Sequence, residues 1–263
     1  MTDYFEGYQI LYDSINTSQA ILSPIRKRLQ SLPSDTEVLH LLDIGCADGQ
    51  KTELFIEQIK SARPQQKIHM HLIEPSNDFL KLACKRLNPL VHELTYSCLT
   101  LEDFLQQPHS GIYDWIIAGN VFYHTDVKDL DSLAKKLSAS GLLMVMMGGI
   151  DYPLEIDEEL KKISFGDSSI VHRHLELSAI NHGFHVSIDK VSTALKLELL
   201  YTPQSGLTSR GKKLISMLYK IPYDKFSEKQ KTALEDLLHD ASTNHGGMIN
   251  HHHELFWLSR NHV

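Results

Sequence analysis

The stretch LLDIGCADGQKT, residues 41–52, carries the residue types of a ligand-binding loop. An apolar run ends there in an aspartate, two glycines lie four residues apart, and Lys51 and Thr52 come shortly afterwards. Glycines between a buried strand and a helix let backbone N–H groups approach a bound molecule closely. The spacing therefore predicts a ligand-binding loop made of Gly45, Cys46, Ala47, Asp48 and Gly49.

Two kinds of phosphate-binding loop share features with this stretch. A P-loop needs four residues between its glycines and a lysine directly after the second one. Here three residues intervene, and Gln50 separates Gly49 from Lys51. A dinucleotide loop needs a glycine where this chain has Ala47, and a further glycine after Gly49. The charge of Asp48 would also repel phosphate, so the sequence argues against both phosphate ligands.

S-adenosylmethionine fits the loop better, because it carries a sulfonium, an ammonium and a carboxylate but no phosphate. Amide groups at the start of a helix suit its carboxylate, and a nearby acid suits its positive charges. With this ligand, Asp48 is an expected residue of the loop. The sequence therefore predicts an S-adenosylmethionine site.

Acidic residues after the next two predicted strands fit the same cofactor. Glu74, followed by Pro75, ends the strand in KIHMHLIEPS, where its carboxylate could accept hydrogen bonds from the ribose hydroxyls. Glu102 or Asp103 in CLTLEDFL could bind the adenine amino group. Acids are also common at the start of a helix, where the macrodipole favours negative charge, so both interpretations stay open for each residue.

The end of the fourth predicted strand, in YDWIIAGNVFYH, supplies candidates for the reacting centre. Methyl transfer from a sulfonium is an in-line displacement, so positioning and the exclusion of water supply most of the catalysis. Gly119 and Asn120 are predicted to border the cofactor. Tyr123 is predicted to orient the acceptor, and His124 to take up a proton near neutral pH. Packing at a strand end is the competing interpretation for these last two.

Short apolar runs alternate with helical spacing along the first half of the chain. This alternation predicts an α/β fold with a mostly parallel sheet and right-handed crossovers. Ser23 and Pro24 predict the cap and first residue of a helix that runs through Leu32. Strands are predicted at 38–44, 67–73, 91–98, 113–119, 142–147 and 184–197 and in the closing HELFWLS, and helices at 76–87, 127–138, 155–163, 173–181, 207–219 and 227–240.

These elements predict a single domain over residues 1–263. Residues 1–35 form an N-terminal helical cap, and residues 36–150 form the half that binds the cofactor. Residues 151–263 form a substrate-side half with a helical insertion at about 198–250, before the last strand. Near the start of the chain, Tyr4, Tyr8 and Tyr12 recur at helical spacing and could cover a cationic amine by cation–π contact, or simply pack.

The charge and composition limit the classes of partner. The 263 residues carry a formal net charge of -7 and no long basic run, which argues against nucleic acid and favours small molecules. No apolar stretch approaches the roughly 20 residues that span a bilayer, and neither end resembles a secretory signal. We therefore expect a cytoplasmic protein without a membrane partner, and the sequence leaves its oligomeric state open.

Cysteine and histidine patterns do not predict a metal site. The three cysteines lack CxxC spacing, and the sixteen histidines, which include HMH, HRH and HHH, lack HExxH spacing. The expectation is therefore that the protein binds no metal.

On LDIGCADG, LIEPS and YDWIIAGNVFYH, the chain resembles class I S-adenosylmethionine-dependent methyltransferases over roughly residues 38–149. That resemblance implies a Rossmann-like, seven-stranded sheet whose last strand is antiparallel. Within this family the chain is similar to the histamine N-methyltransferase type, on INTS, IEPS, WIIAGNVFYH followed by DVKDL, and MINHHHELF. In that type the N-terminal segment and the segment before the last strand hold the amine, which here implies Asn16, Asn250 and His252 as acceptor contacts.

The predicted function is methyl transfer from S-adenosylmethionine to a small-molecule acceptor, preferably an amine nitrogen, with S-adenosylhomocysteine as the product. Two alternatives stay open. One is a small-molecule O-methyltransferase, and the other is a noncatalytic S-adenosylmethionine-binding or regulatory protein of the same fold.

Overall fold

The computed structural model describes residues 2–15, 17–30, 36–107, 111–122, 129–148 and 168–260. The predicted helix at 155–163 and the predicted site residues Asn16, Tyr123 and His124 lie outside these ranges.

A seven-stranded sheet organises the described chain, in the order β3-β2-β1-β4-β5-β9-β6. β1 pairs in parallel with β2 and β4, β2 with β3, and β4 with β5. The last strand runs antiparallel, which confirms the predicted topology. The strands are β1 (Val38–Ile44), β2 (Lys67–Ile73), β3 (Glu93–Ser97), β4 (Tyr113–Gly119), β5 (Leu137–Gly148), β6 (Phe184–Lys196), the small separate hairpin of β7 (Tyr201–Thr202) and β8 (Gly206–Leu207), and β9 (Met248–Arg260).

The central strands are apolar because both faces of the sheet are covered. In β1 every residue from Leu41 to Ile44 is buried, and in β4 every residue from Trp115 to Ala118 is buried. Continuous apolar runs without alternation are typical of such strands. The edge strand β3 has no fully buried residue, in keeping with its position at the end of the sheet.

The helices begin mostly at residues that cap them. The hydroxyls of Ser76, Thr100, Thr208 and Ser227 each accept a hydrogen bond from a backbone N–H in the first turn. The described helices are α1 (Thr2–Ser14), α2 (Thr17–Ala20), α3 (Leu22–Leu29), α4 (Gln50–Ala62), α5 (Asn77–Leu87), α6 (Leu101–Gln106), α7 (Asp129–Ala134), α8 (Ser168–Asn181), α9 (Ser209–Tyr219) and α10 (Glu228–Asn244). None of them is long and apolar enough to cross a bilayer.

The predicted cap of α3 is wrong. Ile21 occupies the N-cap position and makes no side-chain capping bond, so Ser23 lies inside the helix. Pro24 is the third helical residue rather than the first. Proline is tolerated there because the first backbone N–H groups of a helix have no partner within it.

The chain divides into two compact units. The sheet unit comprises Ile21–Met147, Ile170–Lys190 and Glu254–Val263. In its core the fully buried Trp115 ring lies 5.6 Å from the Phe55 ring and 6.2 Å from the Trp257 ring, measured between ring centroids. The Trp257 indole donates a hydrogen bond to Asp189 at 2.8 Å, so the polar atom of this large side chain is satisfied.

The helical unit comprises Met1–Ala20, Gly148–Ser169 and Val191–His253. Its apolar core joins Ile10 of α1 to residues of α9 and α10 such as Leu214 and Leu234. Close packing depends on Gly211 in α9, because a Cβ atom there would overlap the carbonyl oxygen of Leu200. The backbone N–H of Gly211 donates to the capping Thr208 hydroxyl at 3.0 Å, so the helix start is fixed in this place.

Replacing Gly211 by alanine should therefore destabilise the protein. The new methyl group meets backbone rather than a flexible side chain, and overpacking of this kind costs about 1–3 kcal/mol. We expect urea unfolding followed by circular dichroism to show a loss of unfolding free energy in that range. The control Ser209→Ala, at an exposed position of the same helix, should change it little. Equal stabilities of the two variants would contradict the packing argument.

Candidate functional site

The loop between β1 and α4 is an unusual run of left-handed backbone. The φ angles of Gly45, Ala47 and Gly49 are +67°, +48° and +79°. A Cβ at Gly45 would lie 2.9 Å from Val121 Cγ2, and a Cβ at Gly49 would lie 3.0 Å from Ala83 Cα. Both glycines are thus required by backbone angle and by space. Ala47 adopts the same region at a cost in strain, where related phosphate loops use glycine.

Glu74 holds this loop against the end of β2. Its Oε2 accepts a hydrogen bond from the backbone N–H of Ala47 at 3.1 Å, and its Oε1 accepts one from Ser76 at 2.9 Å. The side chain is 7% exposed. Burial raises the pKa of this carboxyl, and the two amide hydrogen bonds partly oppose that rise. The predicted cofactor acid therefore lies in direct contact with the predicted cofactor loop, while the neighbouring Pro75 is exposed.

Asp43 is a second buried acid of the site, and its part in the site was not predicted from the sequence. Asp43 is the second-last residue of β1 and is 4% exposed. Its carboxylate accepts a hydrogen bond from the Thr52 hydroxyl of α4. Desolvation raises its pKa to about 7. The Thr52 hydrogen bond lowers that pKa, and the charge of Glu74 raises it further. The signal in the sequence was a carboxylate inside an apolar strand, which is costly unless it is used.

Asp48 is engaged by groups of the chain itself. Its carboxylate accepts hydrogen bonds from the backbone N–H of Gln50 at 3.2 Å and from the Gln50 side chain at 2.6 Å. Arg86 of α5 approaches it at 3.7 Å and also pairs with Glu53 at 2.9 Å. Asp48 thus fixes the start of α4 and joins it to α5. Its predicted contact with the cofactor stays a prediction.

Lys51 lies in the first turn of α4, as the sequence predicts. Burial lowers its pKa to about 8, while the charges of Asp43 and Asp48 raise it. Its cationic charge faces these two acids and stays within the loop. Cys46 is also buried here, and burial raises the pKa of its thiol.

The acids after β3 lie at the start of α6. The Thr100 hydroxyl accepts from the backbone N–H of Asp103 at 3.2 Å and donates to the Asp103 carboxylate at 2.9 Å. Asp103 is exposed, so its described role is to cap the helix. Glu102 is half-buried. The predicted contact of either acid with adenine stays a prediction.

At the end of β4 the chain turns sharply. Gly119 ends the strand, and Asn120 has a φ of +61° while its backbone N–H donates to the Met146 carbonyl at 2.8 Å. Asparagine tolerates this left-handed conformation better than most residues. The geometry directs the following segment away from β4. The roles predicted for Tyr123 and His124 concern residues that the structure does not describe.

Histidines of β1 and β2 share one face of the sheet. His40 and His69 are partners in the parallel register, and their ring centroids lie 5.3 Å apart. With His71, Glu93 and Tyr113 they line a cavity of about 340 Å³. His69 Nδ1 lies 3.2 Å from Glu93, and His71 Nδ1 lies 2.7 Å from the Thr95 hydroxyl. Among the described residues, no three His, Cys, Asp or Glu side chains converge as metal ligands.

The predicted acceptor contacts that the structure describes all belong to the helical unit. Tyr8 and Tyr12 of α1 are half-buried, with ring centroids 6.5 Å apart, and only the backbone of Tyr4 is described. Asn250 and His252 lie within β9, so their predicted position before the last strand is wrong, while their contact with the acceptor stays a prediction. β9 begins at Met248, directly after two glycines with positive φ. Asn250 is exposed and His252 half-buried.

Comparisons with known proteins place this site in a recognised domain. Residues 42–141 match the family model for a methyltransferase domain, which contains the loop, Glu74 and the end of β4. No curated protein matches the chain closely enough to serve as a relative.

Solved structures share its fold at low sequence identity. YcgJ of Bacillus subtilis is 13% identical with a TM-score of 0.55, and the match covers 92% of this chain and 98% of YcgJ. A phosphoethanolamine N-methyltransferase of Haemonchus contortus is 16% identical with a TM-score of 0.51, covering 92% of this chain and 52% of that one. The (4+2)-cyclase SpnF is 15% identical with a TM-score of 0.50, covering 91% and 82%.

The predicted Rossmann-like fold is thereby confirmed. Residues 42–141 match a methyltransferase-domain model, which supports the predictions of a methyltransferase and of S-adenosylmethionine as its cofactor. These comparisons leave the acceptor and the atom that is methylated undetermined.

The raised pKa of Asp43 predicts that cofactor affinity depends on pH. The carboxyl is mostly neutral below about pH 7 and anionic above it. S-adenosylmethionine has a net positive charge and S-adenosylhomocysteine has none. We therefore expect calorimetry to show the affinity ratio of the two rising roughly tenfold from about pH 6 to about pH 7.5, a range over which Lys51, with a pKa of about 8, keeps most of its proton.

Asp43→Asn should flatten this ratio, because the amide cannot ionise. The control Asp131→Asn, at a half-buried position of α7 paired with Lys135, should retain the pH dependence. An Asp43→Asn variant with the full rise would show that another group titrates.

Proposed function

We propose that this chain is a cytoplasmic enzyme that transfers a methyl group from S-adenosylmethionine to the nitrogen of a small-molecule amine. The observation that carries the proposal is the loop after β1, whose left-handed turn is held by the buried carboxylate of Glu74. The methyltransferase domain at residues 42–141 supports the reaction type. The amine nitrogen, the location and the site residues below belong to the proposal.

The residues of the loop fit a cationic cofactor. Two carboxylates, Asp43 and Glu74, are buried here, and the charge of Glu74 raises the pKa of Asp43. A buried carboxylate pair is stabilised by a neighbouring positive charge and would be destabilised by a triphosphate. The two acids therefore match a ligand that carries a sulfonium and an ammonium.

In this proposal each part of the loop holds one part of the cofactor. The loop from Gly45 to Gly49 would hold the methionine end, and Glu74 the ribose hydroxyls. Glu102 or Asp103 would bind the adenine edge, with Gly119 and Asn120 beside the reacting end. When bound, S-adenosylmethionine supplies an activated methyl group, so the protein needs to position the acceptor and exclude water.

The protein's chemical task is then to present a neutral amine. An amine attacks through its lone pair, which protonation would block. The methylated product therefore forms as an ammonium and must lose one proton to become a neutral amine. His124 would accept that proton, and Tyr123 would orient the nitrogen through its hydroxyl. Both are proposals from the sequence.

An amine acceptor is supported by three observations. Tyr8 and Tyr12 are half-buried neighbours on α1, and tyrosine faces attract ammonium groups. The sequence resembles the histamine N-methyltransferase type. One structural neighbour was crystallised with phosphomonomethylethanolamine, a methylated amine, although its 16% identity establishes only the fold. An oxygen acceptor has no comparable support here.

The noncatalytic alternative is tested first by cofactor binding and turnover. SpnF, a cyclase, has the same fold, so fold alone does not fix the reaction. Calorimetry with S-adenosylmethionine and S-adenosylhomocysteine should show binding of both. A methyl-transfer assay over biogenic amines, phenols and histidine derivatives should then show turnover of at least one amine. Cofactor binding without any turnover would support the binding protein instead.

Glu74→Gln should weaken cofactor binding. The amide keeps one oxygen as acceptor for the loop N–H groups but loses the charge that would bind the ribose hydroxyls. Charged hydrogen bonds of this kind contribute about 1.5–3 kcal/mol, so we expect the Kd of S-adenosylhomocysteine to rise at least tenfold by calorimetry. Glu37→Gln, at an exposed position of the sheet unit, should leave it unchanged. Equal affinities in both variants would refute the ribose assignment.

His124→Ala should lower the rate of amine methylation if the imidazole takes the proton. General-base catalysis contributes typically 10²-fold or more, so kcat should fall by about that factor at neutral pH. The loss should shrink as pH rises and the free amine becomes abundant. His182→Ala, an exposed control directly after α8, should retain full activity. An unchanged pH profile in His124→Ala would remove this residue as the base.

A further inference from the structure

One face of α5 covers the loop after β1. Ala83, Arg86 and Leu87 recur on that face at helical spacing, and Ala83 and Leu87 are buried. A Cβ atom at Gly49 would lie 3.0 Å from Ala83 Cα and 3.2 Å from Leu87 Cδ1. The loop therefore lies directly against this helix, within the sheet unit, and Arg86 belongs to the face that contacts it.

The Arg86 guanidinium contacts the loop and the first turn of α4 at the same time. Its Nε donates a hydrogen bond to the backbone carbonyl of Asp48 at 3.1 Å, and its Nη1 donates one to the Glu53 carboxylate at 2.9 Å. Its Nη2 lies 3.7 Å from Asp48 Oδ2. A guanidinium has donors in fixed directions, so one side chain can hold several acceptors in one arrangement. Arg86 thus fixes the loop relative to both α4 and α5.

The carboxylate of Asp48 interacts with positive charges of two side chains. It is 3% exposed, and burying a carboxylate is costly unless a positive charge or hydrogen bonds compensate for it. Arg86 approaches it from α5, and the charge of Asp48 also raises the pKa of Lys51. Burial lowers that pKa to about 8, whereas an arginine stays charged at any pH in this range. Arg86 is therefore the permanent positive charge beside Asp48.

The cofactor and its product differ by one charge. S-adenosylmethionine has a positive sulfonium where S-adenosylhomocysteine has a neutral thioether. A carboxylate in the loop favours the charged ligand by Coulomb attraction, and a cation paired with that carboxylate reduces the preference. The pairing of Asp48 with Arg86 therefore bears on how strongly the loop distinguishes the two ligands.

We propose that Arg86 is a positioning residue for the cofactor, which acts through Asp48 and Glu53. Its hydrogen bonds hold the loop in the shape that binds the ligand. Its charge offsets that of Asp48 and so limits the preference of the site for S-adenosylmethionine over S-adenosylhomocysteine. This inference rests on the cofactor binding of the proposed function and does not depend on the acceptor.

The experiment measures both ligands by calorimetry on variants of the full-length protein. Arg86→Met keeps the apolar stem but removes the donors, so the Kd of S-adenosylhomocysteine should rise about tenfold. The Kd of S-adenosylmethionine should rise only about threefold, because the uncompensated charge of Asp48 attracts the sulfonium. The ratio of the two Kd values should therefore change about threefold, which a general loosening of the fold would not cause.

Arg86→Lys separates the charge from the hydrogen bonds. The ammonium keeps the charge, so the ratio of the two Kd values should equal that of the wild-type protein. It cannot reach both Asp48 and Glu53 as the guanidinium does, so the Kd of S-adenosylhomocysteine should rise about threefold. In an Asp48→Asn background, Arg86→Met should leave the ratio unchanged, because the charge that Arg86 offsets is absent.

Lys85→Met is the matched control, since it removes the same charge from the neighbouring, exposed position of α5. Solvent and salt screen that charge, so both Kd values should equal those of the wild-type protein. Circular dichroism identifies the variants that fold. If Arg86→Met does not fold, Arg86→Lys decides, and a wild-type Kd for S-adenosylhomocysteine in that variant would overturn the inference.

The outcomes separate this inference from the proposed function. A wild-type protein that binds neither ligand would overturn both. One that binds both ligands but methylates no amine would overturn the proposed function and leave the role of Arg86 to the calorimetry. Unchanged Kd values in folded Arg86→Met would overturn this inference alone. An equal rise in both Kd values would also overturn it, because Arg86 would then be structural only.

Discussion

The hydrogen bonds that the Glu74 carboxylate accepts from the backbone N–H groups of Ala47 and Ser76 are the constraint on which the site depends. Gly45, Ala47 and Gly49 of this loop are left-handed, and the Ala47 N–H donates to Glu74 in the interior, where a buried donor without a partner would be costly. One carboxylate satisfies a donor from the loop after β1 and another from the segment after β2. The parallel pairing of these strands brings both donors within its reach.

The same constraint explains why acids and not bases line the interior of the loop. Asp43 and Glu74 lie in a region where desolvation disfavours both charges, and the pKa of each is raised. Lys51 compensates part of this charge from α4, at the cost of a lowered pKa of its own. The loop is therefore poised for an additional positive charge, which its own side chains do not fully supply.

Much of the sheet could be predicted because its strands are buried on both faces. β1, β2 and β4 have the predicted bounds, since uninterrupted apolar runs have few other uses in a globular chain. β9 could not be predicted in full. Its first residues include Asn250 and three histidines, which are typical of loops, and only pairing between β5 and β6 makes them a strand. β5 likewise begins at Leu137, five residues before the predicted start.

The site was predictable where position along a strand determines chemistry. An acid at the end of β2 must lie beside the loop after β1, so Glu74 could be chosen from its place alone. Asp43 could not, because its importance comes from burial and from the Thr52 hydroxyl across the loop. His252 is half-buried and His253 is buried. The run HHH does not show this difference in burial, because it depends on which face of β9 meets the core.

The histidine row on β1 and β2 holds three of the sixteen histidines of the sequence, which has a formal charge of -7 when they are neutral and an isoelectric point near 6.1. A negative protein attracts cations over distances comparable to the Debye length, and a positive one repels them. The diffusional capture of a cationic ligand is therefore faster at neutral pH than below pH 6.1, where the net charge of the molecule has changed sign.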